Sequence, residues 1–320
     1  MIPGLPGTSH QTEVGGKVKP ASRISDSEGV QAMKELVVLS GKGGTGKTGL
    51  VASFAALAGG AVLADADVDA SNLHLILRPT LKETEEFWSG VTAVIDADRC
   101  EGCGLCRQVC RFGAVTGGNP PAIEEYSCEG CGFCARICPV EAISLQPVLA
   151  GYRYLSETPY GPLVHARLGI GRENSGKLVA EVRKAARELA EGQGCSYLLT
   201  DGPPGTACPA ISALAGADLV LLVTEPTVSG RHDLARAAGL CRHFEVPAVV
   251  CLNKFDISPE AARQVENFCR AEGLEVVGRV PFDPAVPRAL AQGQPPVEAV
   301  SGTTADAIRT TWAAVLARLG

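Results

Sequence analysis

No stretch of this chain comes near the ~20 apolar residues that a membrane-spanning helix requires. The N-terminus has no apolar core segment of the kind a secretory leader carries, so no leader is expected. Positive charge is not in excess either: 29 Lys and Arg stand against 35 Asp and Glu, a formal net charge of −6. General nucleic-acid binders are usually basic, so that class is set aside, and mild acidity otherwise speaks only to solubility. The expectation is a cytoplasmic protein. Hydrophobic residues at 46% and charged residues at 20% are the proportions of a soluble globular chain. At 320 residues there is room for one large α/β domain and a small module. What the chain does have is cysteine. Thirteen of them, an odd number, favour metal ligation over disulfides in a chain of this character.

Residues 1–32 are rich in Gly, Pro, Ser and Lys with little apolar periodicity, and are expected to form a disordered extension. Met33 opens the folded part. An apolar run, Leu36 to Leu39, leads into Ser40-Gly41-Lys42-Gly43-Gly44-Thr45-Gly46-Lys47-Thr48, and a helical run follows from Gly49 to Leu57. Strand, glycine-rich loop and helix are the context of a phosphate-binding loop. The glycines let successive N–H groups point at phosphate oxygens, Lys47 reaches the β- and γ-phosphates, and the Thr48 hydroxyl holds Mg²⁺. A second apolar run, Ala61 to Ala64, ends in Asp65-Ala66-Asp67-Val68-Asp69. Carboxylates at the end of a parallel strand stand where open α/β sheets bind ligands, and here they are preferred to a merely solvated loop.

The segment from Lys82 to Ser89 reads as a strand leading out of the domain, and then the composition changes. Cys100, Cys103, Cys106 and Cys110 form CxxCxxCxxxC, and Cys128, Cys131, Cys134 and Cys138 repeat it, followed by Pro139. This is the spacing of a bacterial two-cluster ferredoxin, in which the fourth cysteine of each run completes the other cluster. The assignment is Cys100, Cys103, Cys106 and Cys138 to one [4Fe–4S] cluster, and Cys128, Cys131, Cys134 and Cys110 to the second. Gly102, Gly104, Gly130 and Gly132 allow tight turns around each cube. Zinc and disulfides are the alternatives; zinc prefers four ligands as separated CxxC pairs, which fits poorly. Arg111 departs from the pattern, standing where ferredoxins usually carry proline. The inserted ferredoxin module spans 91–147, leaving a discontinuous host domain of 33–90 and 148–320.

Beyond the module, 152–166 alternates like a hairpin and 175–191 is an amphipathic helix. The buried run Tyr197 to Thr200 ends at Asp201 in DGPPGTACP, the pattern of a Walker B aspartate that reaches Mg²⁺ through water. Apolar strands at 219–223, 248–252 and 275–280 alternate with helices, which predicts a doubly wound, mostly parallel sheet. Cys195, Cys241, Cys251 and Cys269 read as small core hydrophobes. The amphipathic run 305–319 has few basic residues, so it reads as a core helix rather than a membrane-surface one.

Lys42, just after the first glycine of GKGGTGKT, makes the loop resemble that of the deviant Walker A ATPases: MinD, ParA, the Mrp carriers and the nitrogenase iron protein. With the cysteine runs included, the chain from Met33 to Gly320 resembles the members of that superfamily that contain an inserted ferredoxin domain. The resemblance implies a P-loop ATPase fold and a homodimer with ATP sandwiched between its chains, Lys42 acting across the interface. It further implies that Asp67 orients the attacking water, that Asp65 supports the Mg²⁺ shell, and that Asn253 and the loop at Pro281 line the adenine site. Cys208 matches a cluster ligand of the nitrogenase iron protein, but the second cysteine that cluster needs has no counterpart around 169–172, so Cys208 is read as a structural thiol.

Fold resemblance leaves the role open. The first reading couples ATP turnover in a dimer to electron transfer toward a redox partner protein. The second is an Mrp-type carrier that loads clusters or a metallocofactor onto clients. A third is a positioning or regulatory ATPase with clusters as redox sensors.

Overall fold

The computed structural model describes residues 33–320; the extension expected over 1–32 lies outside the described residues. Nine strands form one sheet: β1 (Lys34–Ser40), β2 (Val62–Asp65), β3 (Thr80–Ile95), β4 (Ile143–Thr158), β5 (Gly161–Leu168), β6 (Tyr197–Pro204), β7 (Leu219–Thr224), β8 (Ala248–Asn253) and β9 (Glu275–Val280). Their spatial order is β3-β4-β5-β2-β6-β1-β7-β8-β9. The pairs from β5 to β9 are parallel, whereas β3–β4 and β4–β5 are antiparallel. The mostly parallel doubly wound sheet read from the sequence is therefore present, extended on one side by an antiparallel ribbon.

Helices cover both faces. In chain order they are α1 (Lys47–Ala58), α2 (Leu73–Leu77), α3 (Leu105–Val109), α4 (Phe133–Arg136), α5 (Ser175–Gln193) and α6 (Cys208–Leu214). They continue with α7 (Val228–His243), α8 (Pro259–Ala271), α9 (Ala285–Ala291), α10 (Pro296–Ala299) and α11 (Thr303–Leu319). Central strands buried on both sides read as continuous apolar runs, and β1 is the clearest case. Side chains alternate across a strand, so Val37 and Leu39 pack with α5, α6 and α7, while Leu36 and Val38 pack with α1 and α11. In α11, Ile308, Trp312, Val315 and Leu319 are buried, and Trp312 stacks on Phe54 of α1 with ring centroids 5.0 Å apart. This apolar stripe belongs to the core.

β3 and β4 are sixteen residues each and pair from Thr80↔Glu157 to Ile95↔Ile143, with register shifts at Leu81/Glu83, Phe87/Trp88 and Trp88/Val91. They run from the large sheet to the cysteine-rich segment, 96–142. That segment has little core of its own. Ala114, Val115 and Ala142 are buried there, but α3 and α4 bury no residue. Among the described residues no helix is long and apolar enough to cross a membrane.

Candidate functional site

The loop between β1 and α1 lies at the carboxyl ends of the central strands. Gly46 caps α1 in the left-handed region at φ 89°, and a Cβ there would stand 2.3 Å from Asn253 Nδ2. Glycine satisfies both demands. Lys47 opens α1 and its Nζ lies 2.5 Å from Asp201 Oδ1, with side-chain exposures of 7% and 0%. The other oxygen, Asp201 Oδ2, and the Thr45 hydroxyl are buried with no hydrogen-bond partner among the described residues. Buried polar atoms are rarely left unpaired, so the two orphans mark a place built for something to bind. Thr48 follows, half-buried.

β2 pairs with β6 so that Asp65 lies directly beside Asp201. Burial first, then the Asp201 charge, push the Asp65 carboxyl up to about 7, against the pull of Lys47. Its oxygens accept from the backbone N–H groups of Asp67, Asn72 and Leu73 and from the Ser71 hydroxyl, at 2.8–3.1 Å. Asp65 thus ties down the turn from β2 into α2. Asp67, half-buried above it, is also raised, by burial first and by Asp201 and Asp69, with Lys47 opposing. Asp65, Asp67, Lys47 and Asp201 are therefore one electrostatic group.

Lys42 lies on the other side of the loop. Its Nζ is 2.6 Å from Glu225 Oε1 and 3.2 Å from Ser229 Oγ. Lys254 Nζ reaches Glu225 Oε2 at 3.2 Å and donates to the Gly44 carbonyl at 3.0 Å. Asn253 donates its amide N–H to the Thr45 carbonyl at 2.7 Å. Gly41 passes so close to α7 that a Cβ would stand 2.2 Å from the Asp233 Cβ. Glu225, Ser229 and Asp233 were not singled out from sequence. The signal was there for Glu225: an acid directly after the apolar run of β7, as Asp201 follows an apolar run in β6. Beside Gly46 opens a cavity of about 170 Å³ whose lining includes Asn253, Lys254, Pro281, Phe282 and Leu290. Asn253 and Pro281 are thus brought to one pocket, and Asp256 Oδ1 fixes its rim by accepting from the Phe282 N–H at 2.7 Å.

At the end of the β3–β4 ribbon the eight cysteines of the two runs separate into fours. One cavity is lined by Cys100, Cys103, Cys106 and Cys138, the other by Cys110, Cys128, Cys131 and Cys134. All eight are free thiols. Backbone N–H groups of Ala93 and Ala142 point at the sulfurs of Cys128 and Cys138, at 3.4 and 3.3 Å. Gly130 has φ 61°, and a Cβ there would stand 2.2 Å from the Val91 carbonyl of β3. Among the described residues no group of three or more His, Cys, Asp or Glu side chains is arranged as it stands to hold a metal ion, the eight cysteines expected to bind clusters included. Cys241, Cys251 and Cys269 are buried and Cys195 is half-buried. Cys208, read as a structural thiol, is exposed at the start of α6, because that helix turns Ala210, Ala213 and Leu214 inward instead.

Residues 36–297 match the CobQ/CobB/MinD/ParA nucleotide binding domain. An uncharacterized protein of Methanocaldococcus jannaschii, MJ0578, is 33% identical over 260 residues, covering 80% of this chain and 87% of its own. Among solved structures, the Pyrococcus furiosus cell division ATPase MinD superposes with a TM-score of 0.55 at 19% identity, over 89% of this chain and 99% of that one. The septum site-determining protein MinD of Pyrococcus horikoshii, complexed with Mg-ADP, gives 0.54 at 19%, over 89% and 96%. At such identities the structural likeness speaks to the fold, but the domain match covers most of the chain. On that ground this chain belongs to the CobQ/CobB/MinD/ParA nucleotide-binding domain family.

Proposed function

We propose that this chain is an ATP-binding and ATP-hydrolysing iron–sulfur protein, in which the nucleotide state of a homodimer governs electron transfer through two [4Fe–4S] clusters. The observation that carries the reading is the crossed grouping of the cysteines: each cavity takes three from one run and the fourth from the other. Two further facts support it. The 96–142 segment has almost no apolar core and no disulfide, and small segments of that kind usually need a metal to fold. The second is the spacing itself: two CxxCxxCxxxC runs fit two cubanes better than zinc, which prefers separated CxxC pairs. Cys100, Cys103, Cys106 and Cys138 would hold one cluster, and Cys128, Cys131, Cys134 and Cys110 the other. When bound, such clusters supply reversible one-electron transfer. The N–H groups of Ala93 and Ala142 offset negative charge on their sulfurs.

In the nucleotide site, Lys47 exchanges Asp201 for the β- and γ-phosphates of ATP. Thr48, and Asp201 through water, would then hold Mg²⁺, which would supply neutralisation of the phosphate charge. The unpartnered Asp201 Oδ2 fits that role. Asp65 shapes the turn from β2 into α2 and so would support the Mg²⁺ shell from behind. Asp67 orients the attacking water, its raised pKa suiting a base. The glycines from Gly41 to Gly46 let the loop backbone cradle the phosphates, and the pocket at Asn253 and Pro281 takes the adenine. Lys42 acts on the nucleotide of the second chain. The Pyrococcus horikoshii protein's complex with Mg-ADP is in keeping with this chemistry.

Anaerobically purified protein is expected to carry about eight irons and eight acid-labile sulfides per chain, as two cubanes require. Stoichiometric zinc without iron would overturn the reading. A second reading, a carrier that donates clusters to client proteins, is favoured by one observation, the exposed Cys208 at the start of α6, after the Asp201 strand. Transfer of iron and sulfide from the loaded protein to an apo-ferredoxin would decide for it, and retention of both through ATP turnover would decide against it.

A further inference from the structure

The two lysines of the phosphate loop are held in different ways. Lys47 is paired with Asp201, which the sequence motif already marks. Lys42 is paired with Glu225, which no motif marks. Glu225 stands at the carboxyl end of β7 with its side chain only 17% exposed. One of its oxygens is 2.6 Å from Lys42 Nζ and the other 3.2 Å from Lys254 Nζ. Lys254 in turn holds the Gly44 carbonyl at the tip of the loop. A single carboxylate therefore fastens both ammonium groups that flank the loop on this side. Burial alone would raise its pKa, but the hydrogen bonds from Lys42 and Lys254 outweigh burial and leave it lowered, so it is ionised at neutral pH.

A carboxylate and a phosphate compete for the same ammonium donors. Glu225 is thus a built-in rival, for Lys42, of the phosphate bound by the second chain's loop. The Lys42 and Lys254 side chains are similarly exposed, 32% and 28%, but Lys42 is the group that can leave, because it sits in the glycine-rich loop while Lys254 is held by the Gly44 carbonyl as well. Lys254 can stay, so the half-buried carboxylate is never stranded without a partner. We propose that Glu225 is a positioning residue that withholds Lys42 until a nucleoside triphosphate arrives, and that the chain tells triphosphate from diphosphate through this exchange. The inference rests on the nucleotide reading of the loop given above. A terminal phosphate supplies enough negative charge to draw Lys42 away, whereas a diphosphate leaves Lys42 on Glu225.

Glu225→Gln keeps the shape and one acceptor but removes the charge. On the full chain, calorimetry with ADP and with a non-hydrolysable ATP analogue gives the ratio of the two affinities, and light scattering gives the oligomeric state. In Glu225→Gln, Lys42 is free for either nucleotide, so ADP should bind about tenfold tighter, the scale of a charge-assisted contact, and the ratio should fall toward one. Self-association, confined to the analogue in the wild type, should then occur with ADP too. Glu225→Asp should restore the wild-type ratio. In Glu225→Gln/Lys42→Met the gain for ADP should vanish, because it acts through Lys42. Lys42→Met alone should lose affinity for the analogue while leaving that for ADP unchanged, which tests the exchange even if Glu225→Gln folds poorly. An unchanged affinity ratio in folded Glu225→Gln, or a gain that persists without Lys42, would overturn the proposal. A wild type that binds neither nucleotide would overturn the underlying reading, and this proposal with it.

Discussion

Lys47 and Asp201 show how much a single ion pair can be asked to do. They are 2.5 Å apart and nearly unexposed, and one oxygen of the pair is already unpartnered. Removing one member of a buried pair leaves an uncompensated charge at a cost of about 3–5 kcal/mol. Lys47→Ala is therefore expected to lose nucleotide binding and also to lower the stability of the nucleotide-free chain by that order, as read from urea unfolding. Lys47→Ala/Asp201→Asn should recover most of the stability and none of the binding, which separates the two roles. Asp67 makes a different demand. In the role proposed for it, a base, it must be ionised, and burial with its acidic neighbours raises its pKa above the usual aspartate value against the pull of Lys47. Hydrolysis should be full above that raised pKa and decline as pH falls through it. Asp67→Ala should still bind ATP, hydrolyse it about 10²–10⁴-fold more slowly, and lose the acidic limb of the pH–rate profile. Normal turnover in Asp67→Ala would remove the residue from the chemistry.

Elements were legible where their signal is local. β1, β6, β7, β8 and β9 are short apolar runs bounded by loops, and the observed strands begin and end within a few residues of those runs. α11 was legible because Ile308, Trp312, Val315 and Leu319 recur at helical spacing. Trp312→Ala, which empties the contact with Phe54, should cost about 3–5 kcal/mol on unfolding. The antiparallel ribbon was only half legible. A strand was read from Lys82 to Ser89, but β3 runs to Ile95, because its outer half is held by pairing with β4, a segment far away in sequence. Glu225 escaped for the same reason: its meaning lies in Lys42 and Lys254, which only the fold brings to it. The glycines of the cysteine runs were legible in kind, and Gly130 now has a specific reason, the Val91 carbonyl at its back. Gly130→Ala must push β3 away from the cavity of Cys110, Cys128, Cys131 and Cys134. It should reduce bound iron to about half, the loss falling on one of two four-iron sites. Cys138→Ala should remove the other half, and the two variants should be distinguishable by electron paramagnetic resonance.

At the scale of the whole molecule the question is whether the two functional regions are joined or merely tethered. The chain from Asp67 to the cysteines is short and ordered. Asp65 clamps the turn after β2 through four donors, α2 follows at Leu73–Leu77, and β3 runs from Thr80 to Ile95, beside Cys100, with shifts in its pairing to β4 at Leu81/Glu83, Phe87/Trp88 and Trp88/Val91. β4 returns from the cysteines and pairs with β5, which in turn pairs with β2 beside Asp65. Strand pairing on both sides of those shifts joins the turn after β2 to the cysteine cavities, so a movement of that turn on phosphate binding would reach them through β3. ATP and ADP should then place the cysteine cavities in different surroundings, and a bound cluster's reduction potential responds to solvent exposure and nearby hydrogen bonds. Linkage makes the coupling reciprocal, so oxidised and reduced protein should differ in ATP affinity by the same factor. Redox titration by electron paramagnetic resonance, with ADP and with a non-hydrolysable ATP analogue, measures it directly. The expected outcome is a potential shift with the analogue that disappears in Lys42→Ala, because that lysine is assigned to the second chain's nucleotide. Equal potentials in both nucleotide states, from a protein that stays monomeric at saturating analogue, would mean that the ribbon carries the cysteine segment without transmitting the state of the phosphate loop.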